Sequence, residues 1–370
     1  GTSQRDNCWR DWYTSMPIQW DFFAQAVSGA DQLRQKVAWA LSQIWVTSGN
    51  DIQQSRHMVE WHKVLSSNAF GNYRNLMKQM TLHPTMGEYL DMVRSTNSNP
   101  NENYAREIKQ LFTIGLFMLN QDGTVQCIEH NPCQAGDTPA PTYDQNVVNN
   151  LTKVFTGWQF CNNASLCPNV TAGTVNYIDP MLLNNGSTSM GNNRHDLTAK
   201  TLLSYPGSTT TTVAACSNCT TMANVTTYAN NSLEQALDNI FNHPSLGPYV
   251  SKGLIQHLVT SDPTPAYVSR IAGVFNNNGS GVRGDMKAVV RAILLDPEAR
   301  GDAKTDPNFG KLREPVQFVT NFLRAFGVRS ADGLGQSDGY LHGRSEYTGM
   351  GQIPFQSPTV FNYYPPGYVI

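Results

Sequence analysis

The sequence predicts an all-α fold: a multi-helix globular core carrying a polar, disulfide-bearing insertion of loops or a small β element. Three observations lead there. Apolar residues recur at helical spacing over residues 1–158 and again over 232–370. Between them, over 159–231, that period disappears into Asn, Thr, Gly and Ser, and four of the chain's seven cysteines fall in this stretch. Hydrophobic residues make up 40% of the 370, enough for a sizeable core and too many for global disorder. The second helical block is expected to pack on the first as one compact domain.

In the first block, Leu33, Val37, Ala40, Leu41, Ile44 and Trp45 share a helix face, and Gly49 supplies a stop. Tyr73, Leu76, Met77 and Met80 form a second stripe, and Met86, Leu90 and Val93 a third. Asn99-Pro100-Asn101-Glu102 reads as the best helix start, with Asn99 as N-cap, Pro100 at the first helical position and Glu102 completing a capping-box-like arrangement. Its apolar face runs through Tyr104, Ile108, Leu111 and Phe112 and ends near Gly115. Asp144 should open the next helix, which buries Val147, Val148, Leu151, Val154 and Phe155 and breaks at Gly157 beside Trp158.

The second block is expected to start at Ser232, where Ser232 and Gln235 fit a capping box before Ala236, Ile240 and Phe241. Leu246, Val250, Leu254 and Leu258 follow at helical spacing. Asp262-Pro263 opens a helix with Tyr267, Val268, Ile271 and Phe275, and Asp285 opens one with Val289, Val290, Ile293 and Leu294. Pro315, Phe318, Phe322 and Phe326 mark the last; from Gln336 the chain looks irregular. His83-Pro84 and His243-Pro244 echo one another across the blocks and read as a reused helix start.

Composition bounds the function. Charged residues are only 15% and the formal net charge is −2 without a basic run, so nucleic-acid binding has no electrostatic footprint. No stretch of about eighteen apolar residues offers a membrane span. The chain starts at Gly1 without a Met, as a processed or trimmed product would. Cys127 and Cys133, Cys161 and Cys167, and Cys216 and Cys219 suggest three local disulfides in an oxidising compartment, with Cys8 alone. Zinc would need four ligands, and the Cys216-Cys219 pair has no second pair at ribbon spacing. Sequons such as Asn169-Val170-Thr171 are frequent in so Asn- and Thr-rich a chain and indicate no glycan by themselves.

Several segments in order carry a resemblance. Met86-Gly87-Glu88-Tyr89-Leu90-Asp91 comes first, then Asn101-Glu102-Asn103-Tyr104-Ala105-Arg106-Glu107 with Leu111-Phe112-Thr113-Ile114-Gly115. Val154-Phe155-Thr156-Gly157-Trp158, His195-Asp196 with Lys200-Thr201-Leu202-Leu203, and Arg283-Gly284-Asp285 follow. Glu314-Pro315-Val316-Gln317-Phe318, and Gly351-Gln352 leading to Pro358-Thr359-Val360-Phe361-Asn362, complete the series. Together they strongly resemble the bacterial family called domain of unknown function 1800. The resemblance implies an exported bacterial protein, periplasmic, cell-surface or secreted, often encoded beside a sulfatase-like partner. It supplies no reaction and no catalytic residues.

Three groups could carry chemistry. Glu102 with Arg106, and Asn103 with Glu107, are i,i+4 pairs; an Arg buried between two carboxylates could hold a carboxylate or sulfate, whereas the simpler alternative is a capping Glu with an ion pair. His195 with Asp196 and Lys200 could supply an acid, a base or a ligand; the alternative is a turn whose Asp caps a helix over Leu197–Leu203. His57, Glu60 and His62 lack the i,i+4 histidine spacing of a helical metal site and read as a solvated polar face. No cofactor fingerprint, phosphate loop or nucleophile elbow occurs, so cofactor and metal remain unassigned. Two function classes follow: an exported binding or structural protein, with self-assembly and exposed aromatics near Tyr363, Tyr364 and Tyr368 as contacts; and a hydrolase acting on a surface polymer or a sulfated sugar. An enzyme needs Glu102, Arg106, Glu107, His195 and Asp196 to converge on one pocket, whereas a binding protein needs them saturated by structural partners.

Overall fold

The computed structural model describes residues 15–52, 54–307, 309–328 and 351–364. Cys8 and Tyr368 lie outside them, as does most of the stretch after Gln336. In chain order the helices are α1 (Met16–Ser28), α2 (Gln32–Ser42), α3 (Ser55–Ser67), α4 (Tyr73–Thr81), α5 (Pro84–Tyr89), α6 (Asn103–Gln110), α7 (Gln145–Val154), α8 (Met222–Phe241), α9 (Leu246–Leu258), α10 (Pro265–Asn276), α11 (Met286–Leu295), α12 (Pro297–Arg300) and α13 (Pro315–Ala325). Among the described residues the β strands form two short antiparallel ladders, β1 (Trp158–Gln159) with β2 (Leu182–Leu183) and β3 (Lys200–Thr201) with β4 (Thr212–Val213), beside isolated bridges such as Leu119 with Val125. The fold is all-α with the polar insertion carrying these ladders. Among the described residues no helix is long and apolar enough to cross a membrane.

The chain divides into two compact units, residues 1–69 with 310–370, and residues 70–309. In the first, α3 packs against α1 and α2, and α13 against α1. Phe23, Val37, Leu41, Trp45, Met58, Trp61 and Leu65 are buried there. In the second, α4 and α7 pack on α8, α6 on α7, and α9 through α11 on one another. The predicted α4 stripe, Tyr73, Leu76, Met77 and Met80, is fully buried.

The caps show how local sequence sets these elements. Asp144 Oδ1 accepts the Val147 N–H at 2.8 Å, and Asp285 Oδ1 the Ala288 N–H at 3.1 Å, each satisfying a first-turn donor as expected. Gly157, at φ +82°, ends the α7 segment in a conformation only glycine adopts freely. The His83/His243 echo is a shared device: each Nδ1 accepts the N–H two residues on, from Thr85 at 3.2 Å and Ser245 at 3.1 Å.

Four boundaries or faces differ from expectation. α6 begins at Asn103 rather than Pro100, because Asn101 Oδ1 takes the Asn103 N–H at 2.9 Å and Ser95 Oγ takes that of Asn101. α8 begins at Met222, ten residues before Ser232; Thr221 caps it, and Ser232 sits mid-helix donating to Tyr228 O. Val225, Ala229 and Leu233, all buried, carry the helix through this Asn- and Thr-rich stretch. α10 is capped by Thr264 with Pro265 first, two residues beyond the expected pair. His57 is buried, and His62 packs on Phe355 at 5.2 Å between ring centres, so neither belongs to a solvated face. Burial pushes the His62 imidazole down to about 4, keeping it neutral.

The local disulfides are present as Cys127–Cys133, Cys161–Cys167 and Cys216–Cys219, with Cα separations of 5.3, 6.3 and 5.8 Å. They pin segments with little regular structure of their own, and Cys161 and Cys167 are also buried.

Candidate functional site

Two of the three polar groups singled out in the sequence, those of Glu102 and of His195, lie in the second unit, at opposite ends of α7. At the α7 N-terminus, Arg106 Nη2 donates to Glu102 Oε1 at 3.0 Å and to Gln145 Oε1 at 3.1 Å. Gln145 Nε2 closes the ring onto Glu102 Oε2 at 3.0 Å. The hydrogen bond from Arg106, then that from Gln145, holds the Glu102 carboxyl below the usual range. Arg106 is thus a part-exposed partner of Glu102 and Gln145, not a buried cation gripped by two carboxylates. Asn103 Nδ2 donates to Asp91 Oδ2 at 3.1 Å, away from Glu107. Glu107 is half-buried, burial pushes its carboxyl up, and its Oε2 has no hydrogen-bond donor among the described residues.

Two residues of this group escaped sequence reasoning. Lys109 is fully buried, with its Nζ 4.4 Å above the Tyr143 ring and without a hydrogen-bond acceptor among the described residues. Burial, then the charge of Arg106, pushes its ammonium down to about 7. The signal was available: Lys109 lies one turn after Ala105 and beside Ile108, on the apolar face of α6. Tyr249 donates its hydroxyl to Leu111 O at 3.0 Å, and Gly115 lets its ring approach, since a Cβ there would lie 2.9 Å from it. The end of α6 is latched in this way.

Beyond the other end of α7 sit His195, Asp196 and Lys200. His195 is fully buried, and its Nδ1 lies 2.8 Å from Thr156 O, which fixes the Nδ1–H tautomer. Burial pushes its imidazole down to about 4. Gly157 is required here because a Cβ would lie 2.9 Å from His195 N. Asp196 accepts from Thr198 N at 2.8 Å and Thr198 Oγ1 at 2.6 Å, and its own N–H donates to Thr156 Oγ1. The expected helix over Leu197–Leu203 is absent: the Asp196 side chain closes a turn, and Lys200–Thr201 form β3. Lys200, 1% exposed, donates to Asp196 O at 2.8 Å, Thr198 O at 2.8 Å and Tyr228 Oη at 2.9 Å. Those three bonds exhaust the ammonium's donors.

The structure therefore gathers Glu102, Arg106 and Gln145 in one ring, with Glu107 and Lys109 on the same helix, and His195, Asp196 and Lys200 in another group. The ten residues of α7 set the groups apart by about 15 Å at 1.5 Å per residue. Among the described residues no three His, Cys, Asp or Glu side chains group to hold a metal ion.

A family model described as a protein of unknown function, DUF1800, matches residues 9–369. No curated protein and no solved structure matches the chain.

Proposed function

The chain belongs to the DUF1800 family, and from that premise we propose that it is an exported binding or structural protein, working at the cell surface or in an extracellular assembly by pairing with a second copy of itself. The observation that carries this reading is the outer face of α13 and of Phe326, its C-cap. Phe318, Phe322 and Phe326, spaced one turn apart, are 64%, 53% and 71% exposed. Three aromatics in a row on a helix surface are unusual for a chain that stays alone in water. Arg324 is the single charged residue of α13, and its guanidinium is turned back onto Ala26 O and Val27 O of α1. No like charge then opposes an identical stripe from a second copy, and a self-matching ridge is what a two-fold contact needs. The disulfides support an oxidising compartment. The acid–base candidates support the same reading, since most are spent on holding loops and helix ends.

Sedimentation velocity over a concentration series tests this. The protein should sediment as a concentration-dependent dimer, and Phe322→Ser should shift it to monomer without changing its helical circular dichroism. A strictly monomeric protein, or a dimer indifferent to Phe322→Ser, overturns the reading. A sulfatase-like partner in place of a second copy would appear as a hetero-complex when such a protein is added to the same experiment.

The second reading, a hydrolase of a surface polymer or sulfated sugar, is favoured by one observation: Glu107 and Lys109 have protonation ranges displaced toward neutrality. Turnover of a sulfated polysaccharide that Glu107→Gln abolishes, with folding intact, would establish it instead.

A further inference from the structure

We propose that the first unit contains a binding site for one halide-sized anion, lined by residues of α2, α3 and 355–363, independent of the self-association argued above. The cavity there has about 10 Å³ of internal room, enough for one water-sized guest. Three of its lining residues carry polar hydrogens that find no acceptor among the described residues: Trp39 Nε1, Trp61 Nε1 and Ser357 Oγ. These residues are 6%, 1% and 3% exposed, so bulk water does not satisfy them.

The remaining polar groups around the cavity are already engaged. Ser42 Oγ donates to Trp39 O at 2.7 Å and accepts from Gln43 Nε2 at 3.2 Å. Asn362 Nδ2 donates to Gln43 Oε1, and Asn362 Oδ1 accepts the Tyr363 N–H at 2.8 Å. Thr47 Oγ1 is directed at Met58 Sδ. What is left is two indole N–H groups, which only donate, and the Ser357 hydroxyl, which donates and also accepts. A water molecule would accept from two of these donors and bring two hydrogens of its own, of which Ser357 Oγ can take one. A halide accepts from all three donors and brings none. Among the described residues no charged side chain lines the cavity, so none of their carboxylates repels the ion.

The backbone of the wall supports a built site. Phe355 and Asn362 both line the cavity, and both lie in the left-handed region, at φ +63° and +68°. For a Phe that conformation is costly and is found where the surroundings over-determine it. The segment belongs to the Gly351-to-Asn362 series of the sequence, for which the self-association reading has no use.

The test is thermal unfolding and tryptophan fluorescence of the whole protein in sodium bromide or chloride against sodium gluconate at matched ionic strength. Bromide should raise the melting temperature with saturation and quench a fixed fraction of the indole emission with the same midpoint. Ser357→Ala should weaken the apparent affinity about tenfold by removing one hydrogen bond to an ion. If that variant does not fold, Trp39→Phe serves, together with an anomalous bromide peak in crystals of the unaltered protein. Saturation with the expected loss, or a peak inside the cavity, supports the site. Linear quenching with no halide-specific stabilisation, affinity unchanged in the variants, or a water where bromide was expected overturns it.

Discussion

Lys200→Met removes the centre of the His195–Asp196–Lys200 group while nearly preserving side-chain length. The ammonium currently serves three oxygens, those of Asp196 O, Thr198 O and Tyr228 Oη. The one hydrogen of Tyr228 Oη can go to Thr198 O or to Ala214 O, each 3.0 Å away, so Thr198 O can keep a donor. The Asp196 carboxylate keeps both bonds from Thr198. The Asp196 carbonyl loses its Lys200 donor, and the carboxylate loses a cation 3.5 Å away. An orphaned buried acceptor costs about 1–3 kcal/mol and a broken buried charge pair more, while the relieved desolvation of the ammonium offsets part, so we work with a net loss of about 3 kcal/mol. For a cooperative unit the size of residues 70–309 that lowers the melting temperature by roughly 6–12 °C. Calorimetry of the purified variant reads it directly. A change under about 1 °C would refute the reasoning that Lys200 is spent on the fold.

Other consequences follow from the same bookkeeping. Arg283 donates to Phe241 O at 2.9 Å and His243 O at 3.0 Å and also bonds Asn276 Oδ1, so Arg283→Lys, which lacks the planar fork, should cost about 1–3 kcal/mol in urea unfolding. Each disulfide spanning six residues should contribute about 2 kcal/mol by loop closure, so reduction should lower the melting temperature, and alkylation after reduction should make the loss permanent. Lys109 titrates near 7 when folded against 10.5 when unfolded. Below about pH 7 both states are protonated and the burial penalty is complete; between there and 10.5 the unfolded state holds more protons, so stability rises with pH. The urea midpoint should therefore climb from pH 7 to pH 9, and Lys109→Met should flatten that climb.

The parts of the fold legible in the sequence were those written in local chemistry. The Asp144 and Asp285 caps, the Gly157 stop and the α4 stripe each follow from a side chain and its immediate neighbours. The start of α8 was hidden because Asn and Thr, weak helix formers, fill its first turns while burial of Val225 and Ala229 overrides propensity. Spacing put Glu102 and Arg106 on one face, but only the fold brings Gln145, some forty residues on, into their ring. Lys109 is readable from helical phase, but a lysine is ordinarily a surface residue and so gives no sign of burial by its type. The exposed Phe stripe of α13 carries the same period as a core stripe; sequence alone does not distinguish an apolar face turned inward from one turned out.

The central claim is that this chain works by contact through α13 rather than by the chemistry of its polar motifs. Hydrogen–deuterium exchange at low and high protein concentration addresses it most directly, with the amides of α13 as the readout. Protection across α13 that rises with concentration, with the rest of α1–α12 unchanged, is the predicted result. Exchange in α13 that is the same at both concentrations, in a protein that nonetheless associates, would place the contact elsewhere and contradict the claim.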